Sequence, residues 1–401
     1  MGLSTGLFNT NTGNPAELNA RSFAATILRL FPNGSAPMFA FSSQSGRSKA
    51  KASTHGYFNR SMTFQTITMA GTQLIGDATY TVPSTAGIVP GMLFYNVRTK
   101  EVIRVLTVPS GTTMTVTRAF GRIAAAAVNV ADKLIQAGTA YEEGSNRPVA
   151  RRLTTVYVPN YTQIFRNAWA LTDTARASYA EAGVSNIAEN RKDCMLFHSV
   201  DIESAIIWGQ PKMDTTGTTP VHATQGILDA LAQYAPANVN TAASTTNYSQ
   251  LITLLEPAFL YSTDLGNPNM RVLFCDNLAM KVITDIGRLN GQVQIMQNAD
   301  QFGVKFTSFQ FYKGTLNLVN HPLLNGIGAT GMAIAMDMGA LKLAYMDGRD
   351  TKPEEYNIGG SHNPDNGADA QGGSLTTELA VELVNPYACA VINGLTAGAA
   401  G

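Results

Sequence analysis

Five histidines, three cysteines, one glycine-rich run and one Asn/Asp loop are where this 401-residue chain carries residue types suited to chemistry. His55, His198, His222, His321 and His362 are scattered, and no H-E-x-x-H pair or G-x-S-x-G elbow occurs. His198 falls inside a long helical pattern, where a satisfied core or interface histidine is expected rather than a base or ligand. Cys194, Cys275 and Cys389 lie far apart without C-x-x-C or C-x-x-H spacing. That argues against a disulfide framework or a zinc site and fits a reducing compartment. GIGATG at 326–331 fits G-x-G-x-x-G, and there is no Walker A lysine. A dinucleotide site needs a helix N-terminus under the pyrophosphate, whereas strand-like Met332-Ala-Ile-Ala follows here, so the run reads as a loop. Asn363, Asp365 and Asp369 loosely resemble a calcium loop, but Gly367 stands where an oxygen ligand is wanted and no Glu closes it. A solvated turn is expected there. Trp169 and Trp208 read as core or interface anchors. No catalytic residue, metal or cofactor is assigned.

Composition narrows the class. Lys and Arg total 28 and so do Asp and Glu, giving zero formal charge, which excludes recruitment to nucleic acid or membrane by bulk electrostatics. Hydrophobic residues make up 45%, enough for a sizeable core and too many for disorder. Charged residues are 14% against about 25% in typical domains. That shortage argues against a lone, highly soluble monomer and points to a surface covered by other chains. Residues 1–19 lack a basic stretch followed by an apolar core, so no signal peptide is expected, and no run of about 18 apolar residues predicts a membrane span.

The elements that would position any site divide the chain. Residues 1–60 read as an extended arm, with one helical stretch over 20–31 ended by Pro32-Asn33-Gly34. Arg21, Arg29, Arg47, Lys49, Lys51 and Arg60 stand against Glu17, so the arm carries 6 − 1 = +5. The cluster Arg47-Ser-Lys49-Ala-Lys51 reads either as a solvated loop or as a contact with phosphates or an acidic patch on a neighbour. Residues 61–145 alternate Thr and Val between turn signals, as in a small unit of β-hairpins. Asn186–Trp208 is helical for 23 residues, with Ser185 as N-cap and a stop at Gly209 and Pro211. Its wheel places Ala188, Met195, Ile202 and Ile206 on one side. Leu196, Val200 and Ile207 form a second line about 100° away, so it is expected to bury more than one face. Met195, Ile202, Ile206 and Trp208 are the candidate core of this helix. Residues 248–345 alternate helices and short strands, and 376–384 return as a strand. From Asp337 to Glu382 three bases face nine acids, 3 − 9 = −6. A basic arm and an acidic C-terminal third favour contact between chains, although pairing within the chain costs no more.

In this order of segments the chain resembles tailed-bacteriophage major capsid proteins of the HK97-like fold, closest to a podovirus-type family with a β insertion in the extended loop. The residues that carry the likeness are Asn160-Tyr-Thr-Gln-Ile-Phe165 and the helix ending Val200-Asp-Ile-Glu203-Ser-Ala-Ile-Ile-Trp208-Gly209. Glu142-Glu143-Gly144-Ser145, Pro90-Gly91, Arg98-Thr-Lys-Glu101-Val102 and Thr224-Gln-Gly226-Ile227 add to it. The resemblance implies an α+β fold divided into five parts. Residues 1–60 would be an N-terminal arm, and 61–149 a long hairpin loop carrying the β insertion. Residues 150–212 would form a peripheral domain with a spine helix, and 213–345 an axial domain. Residues 346–401 would return strands to the peripheral domain and end as a tail.

The implied function is a structural shell subunit that forms hexamers and pentamers around double-stranded DNA, held non-specifically. Implied partners are copies of itself, a separate scaffolding protein, a portal and decoration proteins, with no membrane. A separate scaffold is expected because no long charged helical segment precedes the arm. The implied location is the virion, after assembly in the host cytoplasm. Arg47, Lys49 and Lys51 become candidate contacts to neighbours or DNA. The other reading is a tail or decoration protein, a class usually all-β and without a 23-residue central helix.

Overall fold

The computed structural model describes residues 37–42, 47–60, 65–177, 186–263, 269–289, 296–301, 304–311, 313–326, 328, 330–356 and 370–399. The helical stretch expected over 20–31, the N-cap Ser185 and the Asn363, Asp365, Asp369 loop lie outside these residues. The chain forms two compact units, one of residues 58–158 and one of the remaining residues.

Unit 58–158 is all-β. Six antiparallel strands run in the order Thr66–Thr68, Lys133–Thr139, Met92–Asn96, Val102–Thr107, Thr113–Thr117 and Thr79–Thr81. The period-two pattern turns Met92 and Phe94, Ile103 and Val105, and Met114 and Val116 to one buried side. Each such side chain contributes about 1.5–3 kcal/mol through burial. Gly91 has φ +87°, and a Cβ there would sit 2.5 Å from Cε1 of Tyr141, so only glycine fits under that ring.

Two arginines clip the loops of this unit. Arg118 meets the fully buried Glu101 as a fork, both N–O distances 2.8 Å, and donates to the carbonyls of Leu74 and Ala126. Burial alone would push the Glu101 carboxyl up; the Arg118 fork and the Ala119 and Ala126 amides outweigh it and hold the group below its ordinary range. Arg98 does the same for Asp132, with contacts of 2.7 and 2.8 Å.

Among the described residues the larger unit carries two large sheets, besides the small hairpin of Lys212–Asp214 and Val221–Ala223. In the first, Arg47–Ala50 lies parallel to Leu341–Met346, which pairs antiparallel with Ala370–Leu383, which pairs along its length with Gln163–Thr172. Lys352–Tyr356 also pairs with Ala370–Leu383, at 372–376. The second sheet is mixed, in the order Val239–Thr241, Ala390–Asn393, Ala333–Met336, Met270–Cys275, Gly314–Asn320, Val304–Phe311 and Met296–Gln301. Asn277–Leu289 is a helix over the residues expected. The helix expected over 249–260 is α only for Tyr248–Leu255 and continues as a 3-10 turn, because Pro257 withdraws an amide donor. Gly326 of GIGATG ends the helix Pro322–Gly326, the strand Ala333–Met336 follows the run in sequence, and the Gly331 amide donates to Asp276 at 2.7 Å.

The helix Asn186–Trp208 spans the predicted residues and packs on Gln163–Thr172 and Ala370–Leu383. Its candidate core needs correction. Ile202 and Ile206 are buried, but Met195 is 61% exposed and Trp208 36%. The buried positions are Cys194, His198, Ile202, Glu203, Ile206 and Ile207. The first half of the helix meets the sheet on one side only, so its buried stripe is narrow and Met195 falls outside it. The second half is also covered by the helices Pro37–Ser42 and Ile227–Tyr234, which widens the stripe to Ile207. Close approach ends the helix: Gly226 N donates to Gly209 O at 2.8 Å, and a Cβ on Gly226 would lie 2.6 Å from Gly209 N.

Candidate functional site

Three polar assemblies on the larger unit hold the N-terminal segment and the long helix to the sheets. The most buried centres on Glu203. Its Oε1 accepts from Met38 N at 2.7 Å and lies 2.7 Å from His321 Nε2, while Oε2 accepts from Phe39 N at 2.7 Å. Glu203 and His321 have no solvent exposure. The first amides of the helix Pro37–Ser42 have no partners inside that helix, so the carboxylate supplies them. A negative group also suits the positive end of that helix.

The second assembly runs through His198. Asn167 Nδ2 donates to Asp201 Oδ2 at 2.7 Å, which leaves Asn167 Oδ1 to accept from His198 Nδ1 at 2.7 Å. His198 Nε2 then accepts from the Thr377 hydroxyl at 2.7 Å, and Thr377 lies 3.0 Å from the Thr351 hydroxyl. Both ring nitrogens are engaged, as expected of a satisfied core histidine. Desolvation pulls the His198 pKa down, against the opposing pull of Asp201. A neutral, doubly bonded imidazole ties the helix to the sheet.

The third assembly contains the basic cluster. Arg47 meets Asp350 at 2.7 Å and stacks over Tyr345, and Lys49 meets Asp347 at 3.4 Å. Ser48 donates to Glu382 at 2.8 Å, and His55 lies 3.4 Å from the same carboxylate. Arg47 and Lys49 are therefore on a strand, not a solvated loop, and their acidic partners belong to their own chain. Lys51 is exposed and has no ion pair among the described residues.

These assemblies act as anchors. Cys194, Cys275 and Cys389 are free and buried, and burial pushes the Cys389 thiol up to about 12. Trp169 is buried under Arg191, whose guanidinium lies 5.1 Å from the ring centroid. Among the described residues no three His, Cys, Asp or Glu side chains gather as metal ligands, and no helix is long and apolar enough to cross a membrane. Hydrophobic periodicity missed Glu203 and His321, since a buried polar pair breaks the pattern. The signal available was an acid set among Ile202, Ile206 and Ile207, two residues after Asp201.

A family model described as SU10 major capsid protein matches residues 5–396. The chain belongs to the SU10 major capsid protein family. It is 50% identical, over 406 residues, to a major capsid protein of Pseudomonas phage PaMx41, covering 98% of this chain and 97% of that one. Similar solved structures include one from Mycobacterium phage Bobi, 11% identical with a TM-score of 0.47, covering 94% of this chain and 96% of the other. Another is from Mycobacterium phage Adephagia, 10% identical with a TM-score of 0.46, covering 98% and 99%. As a member of the SU10 family the chain is a structural shell protein of a phage. It is α+β in class, as the resemblance to the HK97-like fold implies. The buried Glu203 and His198 assemblies are thus scaffold of a capsid subunit, and the corrected helix face is the core they brace.

Proposed function

We propose that copies of this chain form hexamers and pentamers that close an icosahedral shell around double-stranded DNA. The observation that carries the reading is the capsid family match over residues 5–396, nearly the whole chain. In this reading residues 1–60 are the arm and 61–149 the extended loop with its β insertion. Residues 150–212 are the peripheral domain with its spine helix, 213–345 the axial domain, and 346–401 the return strands and tail. The all-β unit 58–158 and the long helix Asn186–Trp208 support that division. The subunit turns over no substrate; its work is to be rigid and to fit its neighbours. Shell stability comes from many repeated contacts rather than one strong one.

A separate scaffolding protein directs closure, a portal occupies one vertex, and decoration proteins bind outside. Assembly takes place in the host cytoplasm, and the product resides in the virion. Lys51, together with Arg47 and Lys49 once their exposed intrachain pairs open, meets a neighbour or packaged DNA, since such pairs contribute only about 0–1 kcal/mol. Electron microscopy of the protein expressed with and without its scaffold tests the reading. Closed icosahedral particles are expected. Tubes or flat sheets would instead favour a tail or decoration protein.

A further inference from the structure

One stretch of the chain is held to the rest of it by a few side-chain contacts alone, among them Arg151 on the Met92 sulfur at 3.9 Å and Arg60 on the Thr155 hydroxyl at 3.0 Å. Residues 141–157 are all exposed, and 146–154 lie outside every helix and strand. Among the described residues, no backbone group of 146–154 is hydrogen-bonded within the chain. The stretch carries Arg147, Arg151 and Arg152, and no acid occurs between Glu143 and Asp173. None of the three arginines has an ion-pair partner among the described residues. Val149 is 67% exposed and Leu153 44%. Among the described residues, free backbone, partly exposed apolar side chains and arginines without an ion pair together describe a strand that lacks its sheet.

The same chain carries a sheet edge that lacks a strand. Among the described residues, Lys352–Tyr356 is hydrogen-bonded on one side only, to 372–376, and residues 351–355 are all exposed. Glu354 and Glu355 lie on it, preceded by Asp347 and Asp350 in the adjoining turn. Their present partners are loose or exposed: Arg166 is 3.9 Å from Glu354, and the Arg191–Glu355 pair is about 40% open to solvent on each side. Such pairs exchange at little cost.

We propose that residues 146–155 of one copy add as a strand to the open edge Lys352–Tyr356 of a second copy, with Arg151 and Arg152 meeting Glu354 and Glu355. This rests on the self-assembly proposed above and names the surfaces that perform it. Main-chain hydrogen bonds from the residues other than Pro148 and Pro353, which have no N–H to donate, supply the attachment, and the opposed charges set register and exclude wrong pairings. Donor and acceptor are different patches of one chain, so each copy offers both halves and the contact propagates around a ring. Duplex DNA would take the arginines but offers nothing to the free backbone, Val149 or Leu153, which favours a protein edge.

Charge reversal tests this. R151E/R152E leaves the unfolding midpoint of the free subunit unchanged and lowers the yield of closed shells about tenfold, and E354R/E355R alone does the same. Combining the four substitutions in one chain restores the yield. Wild-type yield from either reversed pair, or no restoration in the combination, overturns the contact. Normal shells that fail only to retain DNA overturn it in favour of phosphate binding. Wild-type shells from the same preparation separate these outcomes from loss of self-assembly itself, which would remove the proposed function and the contact with it.

Discussion

Glu203 and His321 stand 2.7 Å apart in the interior, 118 residues apart in sequence, and the same carboxylate takes the Met38 and Phe39 amides. One side chain of the long helix thus joins the N-terminal segment, that helix and the end of the strand Gly314–Asn320. Truncating it leaves two amides and an imidazole without their acceptor inside the protein. Glu203→Ala is expected to cost about 3–5 kcal/mol, read as a lower urea midpoint. A loss under about 1 kcal/mol would show that water or a neighbouring group replaces the carboxylate.

The corrected face of the long helix separates two apolar residues that look alike on a wheel. Ile202→Ala removes buried methyl groups and is expected to cost about 2–5 kcal/mol. Met195→Ala, at an exposed position, is expected to stay within about 0.5 kcal/mol. Ile202→Pro breaks the backbone ladder as well and is expected to abolish soluble expression. Equal losses at positions 195 and 202 would restore the face first expected.

Asp132 gives the β unit an acid limit. The Arg98 guanidinium, helped by the Asn129 amide and Asn96, holds its carboxyl down to about 2. The unfolded value is higher, about 3.9, so the folded state binds this proton less readily. The stability it contributes is complete above about pH 4 and is lost as pH falls toward 2. The urea midpoint of the wild-type protein is expected to fall across that window more steeply than that of Asp132→Asn. Parallel curves would remove the ion pair from the acid response.

Truncation should show two regimes. Deleting residues 1–36 is expected to leave the unfolding midpoint unchanged and to impair assembly. Deleting 1–50 also removes the amides bound by Glu203 and the strand Arg47–Ala50, so it is expected to lower the midpoint as well. Indistinguishable midpoints for the two truncations would mean that 37–50 contributes no stability to the subunit.

The basic cluster should act on assembly rather than on folding. Changing Arg47, Lys49 and Lys51 to Gln opens two exposed ion pairs, so stability should change by about 1 kcal/mol or less. Shell yield or DNA retention should change in a salt-dependent way, because screening at high salt already weakens these charges. The same behaviour at low and high salt would confine the cluster to its intrachain partners.

The sequence by itself determined what local rules can determine. Gly209 and Pro211 stop the long helix, alternation marks the strands of residues 61–145, and Asn277–Leu289 reads directly as a helix. Element type depends on neighbours a few residues away, and the punctuation lies in the same window. The scarcity of charge likewise pointed to a surface covered by other chains, and the order of segments resembled a phage shell subunit, without any tertiary contact. Only the tertiary structure decided which side of each element is covered. Met195 and Trp208 look as apolar as Ile202 in the sequence, yet among the described residues they keep 61% and 36% of their surface exposed, whereas Cys194 and His198 meet the sheet. Arg47–Ala50 becomes a strand only beside 343–346, nearly 300 residues away. Glu203 is stable in the core only because Met38, Phe39 and His321 arrive from distant parts of the chain. Periodicity carries no record of such partners, since the free energy of burying a polar group depends on what meets it in space.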